Sequence, residues 1–142
     1  MKVLVIDGQG GGIGRAVIEQ LSKTFKTLEI FAIGTNSIAT SAMIKAGASK
    51  GATGENAVIH NCGRRDVDII IGPVGICFPN SLMGEISPQM AEAITSSEAE
   101  KILIPITKCG VTILGVQEKI LSSFMLEIVN VVNKRIENIE NS

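Results

Sequence analysis

The chain contains no tryptophan and no tyrosine, and its aromatic content is only 3%, supplied by four phenylalanines. At 142 residues it is long enough for one hydrophobic core, and that core must be built from Val, Ile, Leu, Ala and Met. So few aromatics leave no stacking platform for nucleic-acid bases. Neither sign of charge dominates: 13 basic residues against 14 acidic ones give a net charge of −1, which removes the electrostatic footprint of a nucleic-acid binder as well. Three cysteines at irregular spacing do not make the paired framework of a secreted disulfide scaffold. No apolar run approaches a membrane span, and the run after Met1 and Lys2 is too short for a signal-peptide core. These absences lead us to expect a cytoplasmic protein, a single domain over residues 1–142, with neither nucleic acid nor membrane as a partner.

What is present is concentrated near the start. Val3, Leu4, Val5 and Ile6 form a run suited to a buried parallel strand, and they lead into five glycines within residues 8–14. Ile13, Ala16, Val17 and Leu21 then keep helical spacing. A strand, a glycine-rich turn and a helix N-terminus make an anion site, because the first N–H groups of a helix lack intrahelical partners and lie at the positive end of its dipole. Glycine lets a phosphate approach the backbone closely. The same glycines also suit a tight turn with close helix–strand packing, so both readings stand.

The spacing selects the version of the motif. G-x-G-x-x-G does not fit, since from Gly8 it ends on Ile13 and from Gly10 it ends on Arg15. G-x-x-x-G-x-G fits Gly8, Gly12 and Gly14. With Arg15 and Ala16 after it, the stretch resembles the cofactor loop of short-chain dehydrogenase/reductases, which implies NAD or NADP as cofactor. That family relies on a Tyr-x-x-x-Lys pair for its chemistry. A chain without tyrosine can share the loop and not the mechanism.

Further along, residues 28–33 read as a second strand, followed by a helix over 38–46 that Asn36 or Ser37 caps and Gly47 ends. Residues 51–56 read as a turn, with Thr53 capping a short helix that runs through Cys62. Residues 67–71 read as a third, buried strand ending in Gly72 and Pro73. The aperiodic stretch 72–87 is long for a connection, and such loops carry function. Ser87 and Pro88 start a helix to Thr95, and 101–106 make a fourth strand. The link 107–110 is too short for a crossover, so 111–116 is expected to return antiparallel. A long helix over 117–139 faces the core with Phe124, Met125, Ile128 and Val132. The expected architecture is α/β: a Rossmann-like three-layer sandwich whose parallel sheet has the order 2-1-3-4, with an antiparallel edge strand 5.

In such a sheet, ligands bind beyond the carboxyl ends of the strands, where the strand order reverses. That edge gathers Asp7, Gly8, Gln9, Gly10, Gly11, Gly12, Ile13 and Gly14, then Gly34, Thr35 and Asn36, then Gly72 and Pro73, and finally Cys109. The second strand ends without the Asp or Glu that holds a ribose, and without the Arg of an NADP site. Thr35, Asn36 and Ser37 can bond a ribose or a 2′-phosphate with Arg15 assisting, and helix capping alone accounts equally well for Asn36 and Ser37. Asp7 either orients the glycine loop or touches a ligand.

The segments Asp-Gly-Gln-Gly-Gly-Gly-Ile-Gly at 7–14, Ile-Gly-Thr-Asn at 33–36, Gly-Ala-Thr-Gly-Glu-Asn at 51–56, Gly-Pro-Val-Gly-Ile at 72–76 and Leu-Ile-Pro-Ile at 103–106 extend the pattern over nearly the whole chain. Together they resemble a family of short bacterial proteins known as a domain of unknown function, which implies the fold and no activity. The leading expectation is a stand-alone domain that binds a nucleotide-like small molecule, NAD or NADP, with a sensing or regulatory role. One alternative is a small enzyme acting on a nucleotide-like or phosphorylated substrate through Cys109 or Cys77. Another is a homodimeric interaction subunit joined through the C-terminal helix. The spacing of His60, Cys62, Cys77 and Cys109 is not that of a metal site.

Overall fold

The computed structural model describes residues 1–106, 110–117 and 119–142. Among these, the strands β1 (Lys2–Asp7), β2 (Glu29–Gly34), β3 (Lys50–Thr53), β4 (Ile69–Pro73) and β5 (Glu100–Ile104) form one sheet in the order β3-β2-β1-β4-β5. Every pairing is parallel. The helices are α1 (Gly12–Thr24), α2 (Ser37–Lys45), α3 (Glu55–Cys62), α4 (Pro88–Ser96) and α5 (Leu121–Glu140), and a short 3-10 turn, Val74–Cys77, follows β4.

The alternation of side chains along a strand builds two cores from one sheet. Val3 and Val5 of β1 join Val17, Ile18 and Leu21 of α1, Met43 of α2, and Phe124, Ile128 and Val132 of α5. Leu4 and Ile6 turn the other way, onto Val58 of α3 and Met90 and Ile94 of α4. Helices cover both faces, which is why the central strands read as unbroken apolar runs. Leu4, Ile6 and Ile70 are fully buried, so truncating any one of them to alanine costs about 2–5 kcal/mol.

Two helix starts follow from cap chemistry. Asn36 Oδ1 accepts from the Ala39 N–H at 2.9 Å, and Ser87 Oγ accepts from the Met90 N–H at 3.1 Å with Pro88 in the first turn. At α3 the expectation of a Thr53 cap is corrected. Thr53 is the last residue of β3, and Gly54 occupies the N-cap with φ +102 and no side-chain bond.

Two further corrections change the sheet. Of residues 51–56, read as a turn, the first three belong with Lys50 to the parallel edge strand β3, so the order becomes 3-2-1-4-5 instead of 2-1-3-4. Lys-Gly-Ala-Thr carries no apolar period, and its strand state comes from backbone pairing with β2. A Cβ on Gly51 would come within 2.6 Å of Ile44 Cδ1 on α2, so glycine lets that side chain lie against the strand. The antiparallel edge strand expected at 111–116 does not form. Those residues are unpaired, turn at Leu114 and Gly115, and leave Ile113, Leu114 and Val116 exposed. β-Branched residues favour a strand only when a neighbouring edge pairs with them. Most of the link at 107–110 lies outside the described residues.

The close packing of β1 and β4 sets a test. A Cβ on Gly72 would meet the Ile6 carbonyl oxygen, whereas a Cβ on Gly12 would meet nothing within 4 Å. Gly72→Ala is expected to lower the unfolding free energy by about 1–3 kcal/mol. Gly12→Ala is expected to leave it unchanged within about 0.5 kcal/mol or to raise it. Urea unfolding of both variants beside the wild type checks the contrast.

Candidate functional site

β1 delivers Asp7 to the start of the glycine loop, where the residue is only 4% exposed. Its carboxylate accepts the Gly8 N–H on Oδ1 and the Gly14 N–H on Oδ2, both at 2.8 Å. One of the donors at the N-terminus of α1 is thereby satisfied from inside the protein. Burial pushes the Asp7 carboxyl up. The amides of Gly14, Gly8 and Ile13 pull it back, the negative charge of Glu85 adds to the rise, and the net direction is upward. The turn itself is closed by the Gly11 N–H donating to the Gly8 carbonyl at 2.9 Å, with Gly11 at φ +73.

The glycines of the loop divide into two kinds. At Gly8 a Cβ would lie 2.5 Å from Thr35 Oγ1, at Gly11 it would strike the Ala39 backbone at 2.9 Å, and at Gly14 it would meet Met43 and, at 3.0 Å, Asp7 Cβ. These three are glycine because the protein itself fills the space. At Gly10 and Gly12 a Cβ would meet nothing within 4 Å, and neither residue has a positive φ. Both border a cleft of about 590 Å³ whose lining also includes Asp7, Gln9, Ile13, Pro73, Asn80, Leu82 and Ile106. The cleft lies between the ends of β1 and β4. The chain builds outward on one side through β2 and β3 and on the other through β4 and β5, so this is the point where strand order reverses.

At the end of β2 the structure holds a carboxylate that the strand itself does not supply. Glu85, from the segment between the 3-10 turn and α4, accepts from Thr35 Oγ1 at 2.6 Å, from Asn36 Nδ2 at 2.7 Å and from the Gln9 N–H at 3.0 Å, all on Oε1. Partial burial pushes its carboxyl up, but the Thr35, Gln9 and Asn36 donors outweigh that and hold it below the usual glutamate range. Nothing in the residue pattern singled out Glu85. The signals available were the missing acid after β2 and the aperiodic stretch in which Glu85 lies.

The expected residues fall into place unequally. Asp7, Gly8, Gln9, Gly10, Gly11, Gly12, Ile13 and Pro73 line the cleft. Gly14, Thr35 and Asn36 are not part of its lining: Gly14 donates to Asp7, and Thr35 and Asn36 donate to Glu85. Gly34 is pressed against Thr40, and Gly72 against Ile6, so both serve packing. Cys109 lies outside the described residues. Burial pushes the half-buried Cys77 thiol up, with Lys101 opposing, and pushes that of Cys62 up to about 12. His60 is exposed on α3. Among the described residues no group of three or more His, Cys, Asp or Glu is placed to hold a metal ion. No helix among them is long and apolar enough to cross a membrane.

Fold and cleft together define a Rossmann-like α/β domain with a preformed cavity at its switch point. The chain belongs to the family described as Domain of unknown function (DUF3842), whose model matches residues 2–137. No curated protein matches it. Among solved structures it is similar to the dodecameric FMN-dependent Ubix-like decarboxylase from Escherichia coli O157:H7, at 16% identity over 92% of this chain and 75% of that one, with a TM-score of 0.45. FMN and the dodecamer are properties of that protein.

The two carboxylates predict opposite pH dependences. Asp7, raised in the fold, contributes stability that is complete at low pH and lost as pH climbs from about 4 through its raised value. Glu85, lowered in the fold, contributes stability present above about pH 4.5 and lost on acidification. In urea unfolding across pH, Asp7→Asn is expected to reduce the loss of stability on the rising side, and Glu85→Gln to reduce the loss on the falling side. A steeper rising-side loss in Asp7→Asn contradicts the assignment.

Proposed function

We propose that this chain is a nucleotide-binding domain that seats a phosphate of its ligand against the glycine loop, in the cleft between β1 and β4. The observation that carries the reading is the pair Gly10 and Gly12. Packing explains glycine at positions 8, 11 and 14, but it gives no reason for glycine at 10 or 12. At 12, the first residue of α1, alanine would be the stronger helix former. Close approach of a ligand to the backbone supplies the reason. Among the described residues no hydrogen bond engages the N–H of Gly10 or Gly12, which leaves both donors for phosphate oxygens. Because Asp7 already compensates part of the helix dipole, these hydrogen bonds rather than net positive charge hold the anion.

NAD and NADP are the first ligands to test, on the likeness of Gly8, Gly12 and Gly14 to the short-chain dehydrogenase loop. A sensing or regulatory role is favoured over turnover, since the chain offers no tyrosine and the Cys77 thiol, pushed up by burial, is a poor nucleophile at neutral pH. The reading includes a cytoplasmic location. It is compatible with a homodimer through α5, whose Leu126 and Val131 are exposed.

Thermal-shift and calorimetric titration with NAD, NADP, ATP, FAD and S-adenosylmethionine test the proposal. A true ligand at one hundred times its dissociation constant raises the unfolding free energy by about 2.7 kcal/mol. Gly12→Ala is expected to weaken binding about tenfold and Gly12→Val to abolish it, with the fold intact in both. Unchanged affinity in Gly12→Val removes the loop from the site.

A further inference from the structure

The segment between the 3-10 turn and α4 is built to hold one carboxylate in place. Asn80, Leu82, Met83 and Gly84 have φ of 66, 54, 59 and 88, a left-handed conformation that Leu and Met adopt rarely. Backbone bonds close the segment on itself: the Asn80 N–H donates to the Ile86 carbonyl at 2.7 Å and the Ile86 N–H to the Ser81 carbonyl at 3.2 Å. Ser81 Oγ donates to the Gly75 carbonyl, and Ile86 is fully buried. Met83, by contrast, is 93% exposed, while Leu82 packs against the core that holds Leu4 and Ile6. What the strain produces is the position of Glu85, between the buried Ile86 and the glycine loop. The absence of a Cβ at Gly8 is what lets it close, since a Cβ there would lie 3.0 Å from Leu82 Cδ1 and 3.2 Å from Glu85 Oε1.

Thr35, Asn36 and the Gln9 N–H all donate to Oε1, and no hydrogen bond among the described residues ends on Oε2. One oxygen is therefore fixed while the other remains an acceptor at the junction of the glycine loop and the end of β2. In a dinucleotide fold an acidic residue at the end of the second strand accepts the ribose hydroxyls, and a cation near it accommodates a 2′-phosphate. Here the residues after β2 are Thr35, Asn36 and Ser37, with no acid among them. Two cations lie on a neighbouring cleft that Ser37 also lines. Arg15 reaches Glu19 at 3.4 Å, and with Lys45 it borders a separate cleft of about 720 Å³ between α1 and α2.

We infer that Glu85 takes the place of the missing strand-end acid: it accepts the 2′- and 3′-hydroxyls of a nucleotide's ribose and selects against ligands that carry a 2′-phosphate. This rests on the proposed binding at the glycine loop and adds the identity of the sugar. The physical basis is direct. A carboxylate accepts from a vicinal diol with charge-assisted bonds, and it faces a 2′-phosphate as one anion facing another.

The test compares NAD with NADP, and AMP with 2′-deoxy-AMP, by calorimetric titration of the full chain. The variants are wild type, Glu85→Gln, Glu85→Asp and Gly12→Val, with thermal unfolding confirming that each is folded. Wild type is expected to bind NAD at least tenfold tighter than NADP, and AMP tighter than 2′-deoxy-AMP. Glu85→Gln should lose about tenfold toward NAD while NADP binding holds or improves, so the ratio collapses, and Glu85→Asp should keep part of it. A purely structural role for Glu85 would instead lower both affinities together. Equal binding of NAD and NADP by the wild type, tighter NADP binding, or an unchanged ratio in Glu85→Gln overturns the assignment of Glu85. If Gly12→Val still abolishes binding in those cases, the loop reading stands without it. No binding of any of the four probes by the wild type overturns the assignment of Glu85, and no binding of ATP, FAD or S-adenosylmethionine as well overturns the loop reading.

Discussion

The bonds from the Gly8 and Gly14 amides to the buried Asp7 carboxylate tie the end of β1 to the first turn of α1, and the rest of the site is arranged around that bracket. A carboxylate removed from water is tolerated only when its oxygens are engaged. The loop must therefore keep those amides turned inward whether or not anything occupies the cleft. Glu85 performs the complementary task from the other flank through the Gln9 N–H. Between the two carboxylates the loop is already ordered, and a ligand that enters meets a surface whose conformational entropy was removed on folding.

The same bracket changes how the α1 terminus is understood. The sequence pattern suggests a helix end with unclaimed donors facing outward. In the fold, Gly14 has spent its N–H on Asp7, and among the described residues no hydrogen bond engages the N–H of Gly10 or Gly12, which border the cleft. A glycine-rich motif is thus a composite. Some of its glycines exist because Thr35, Ala39 or Met43 comes too close, and others because nothing does. Counting glycines cannot separate these, since the reason for each lies in a residue far along the chain.

Much of the scaffold was legible because burial leaves a strong periodic trace. The β1 run, the strand ending at Gly34, the Asn36 and Ser87 caps and the long apolar stripe of α5 all follow from short-range pattern. β3 was hidden because an edge strand of Lys50, Gly51, Ala52 and Thr53 is specified by its neighbour's backbone and not by its own side chains. The opposite error occurred at 111–116, where strand-forming residues have no partner. Glu85 escaped notice for a third reason. Its role depends on a left-handed path through Leu82 and Met83, residues that carry no turn signal, and on contacts 49 and 50 residues back along the chain.

The segment that presents Glu85 closes through bonds among its own residues, from Asn80 to Ile86, while Leu82 and Ile86 pack against the core on one face of the sheet. It is a cassette in the engineering sense: its own backbone bonds set its path, and it joins the fold through the Gly75 carbonyl, the buried Ile86 and the bonds Glu85 makes to Gln9, Thr35 and Asn36. On the proposed reading, recognition of the sugar and recognition of the phosphate reside in different parts of the chain. The first belongs to the segment between the 3-10 turn and α4, the second to the loop that joins β1 to α1.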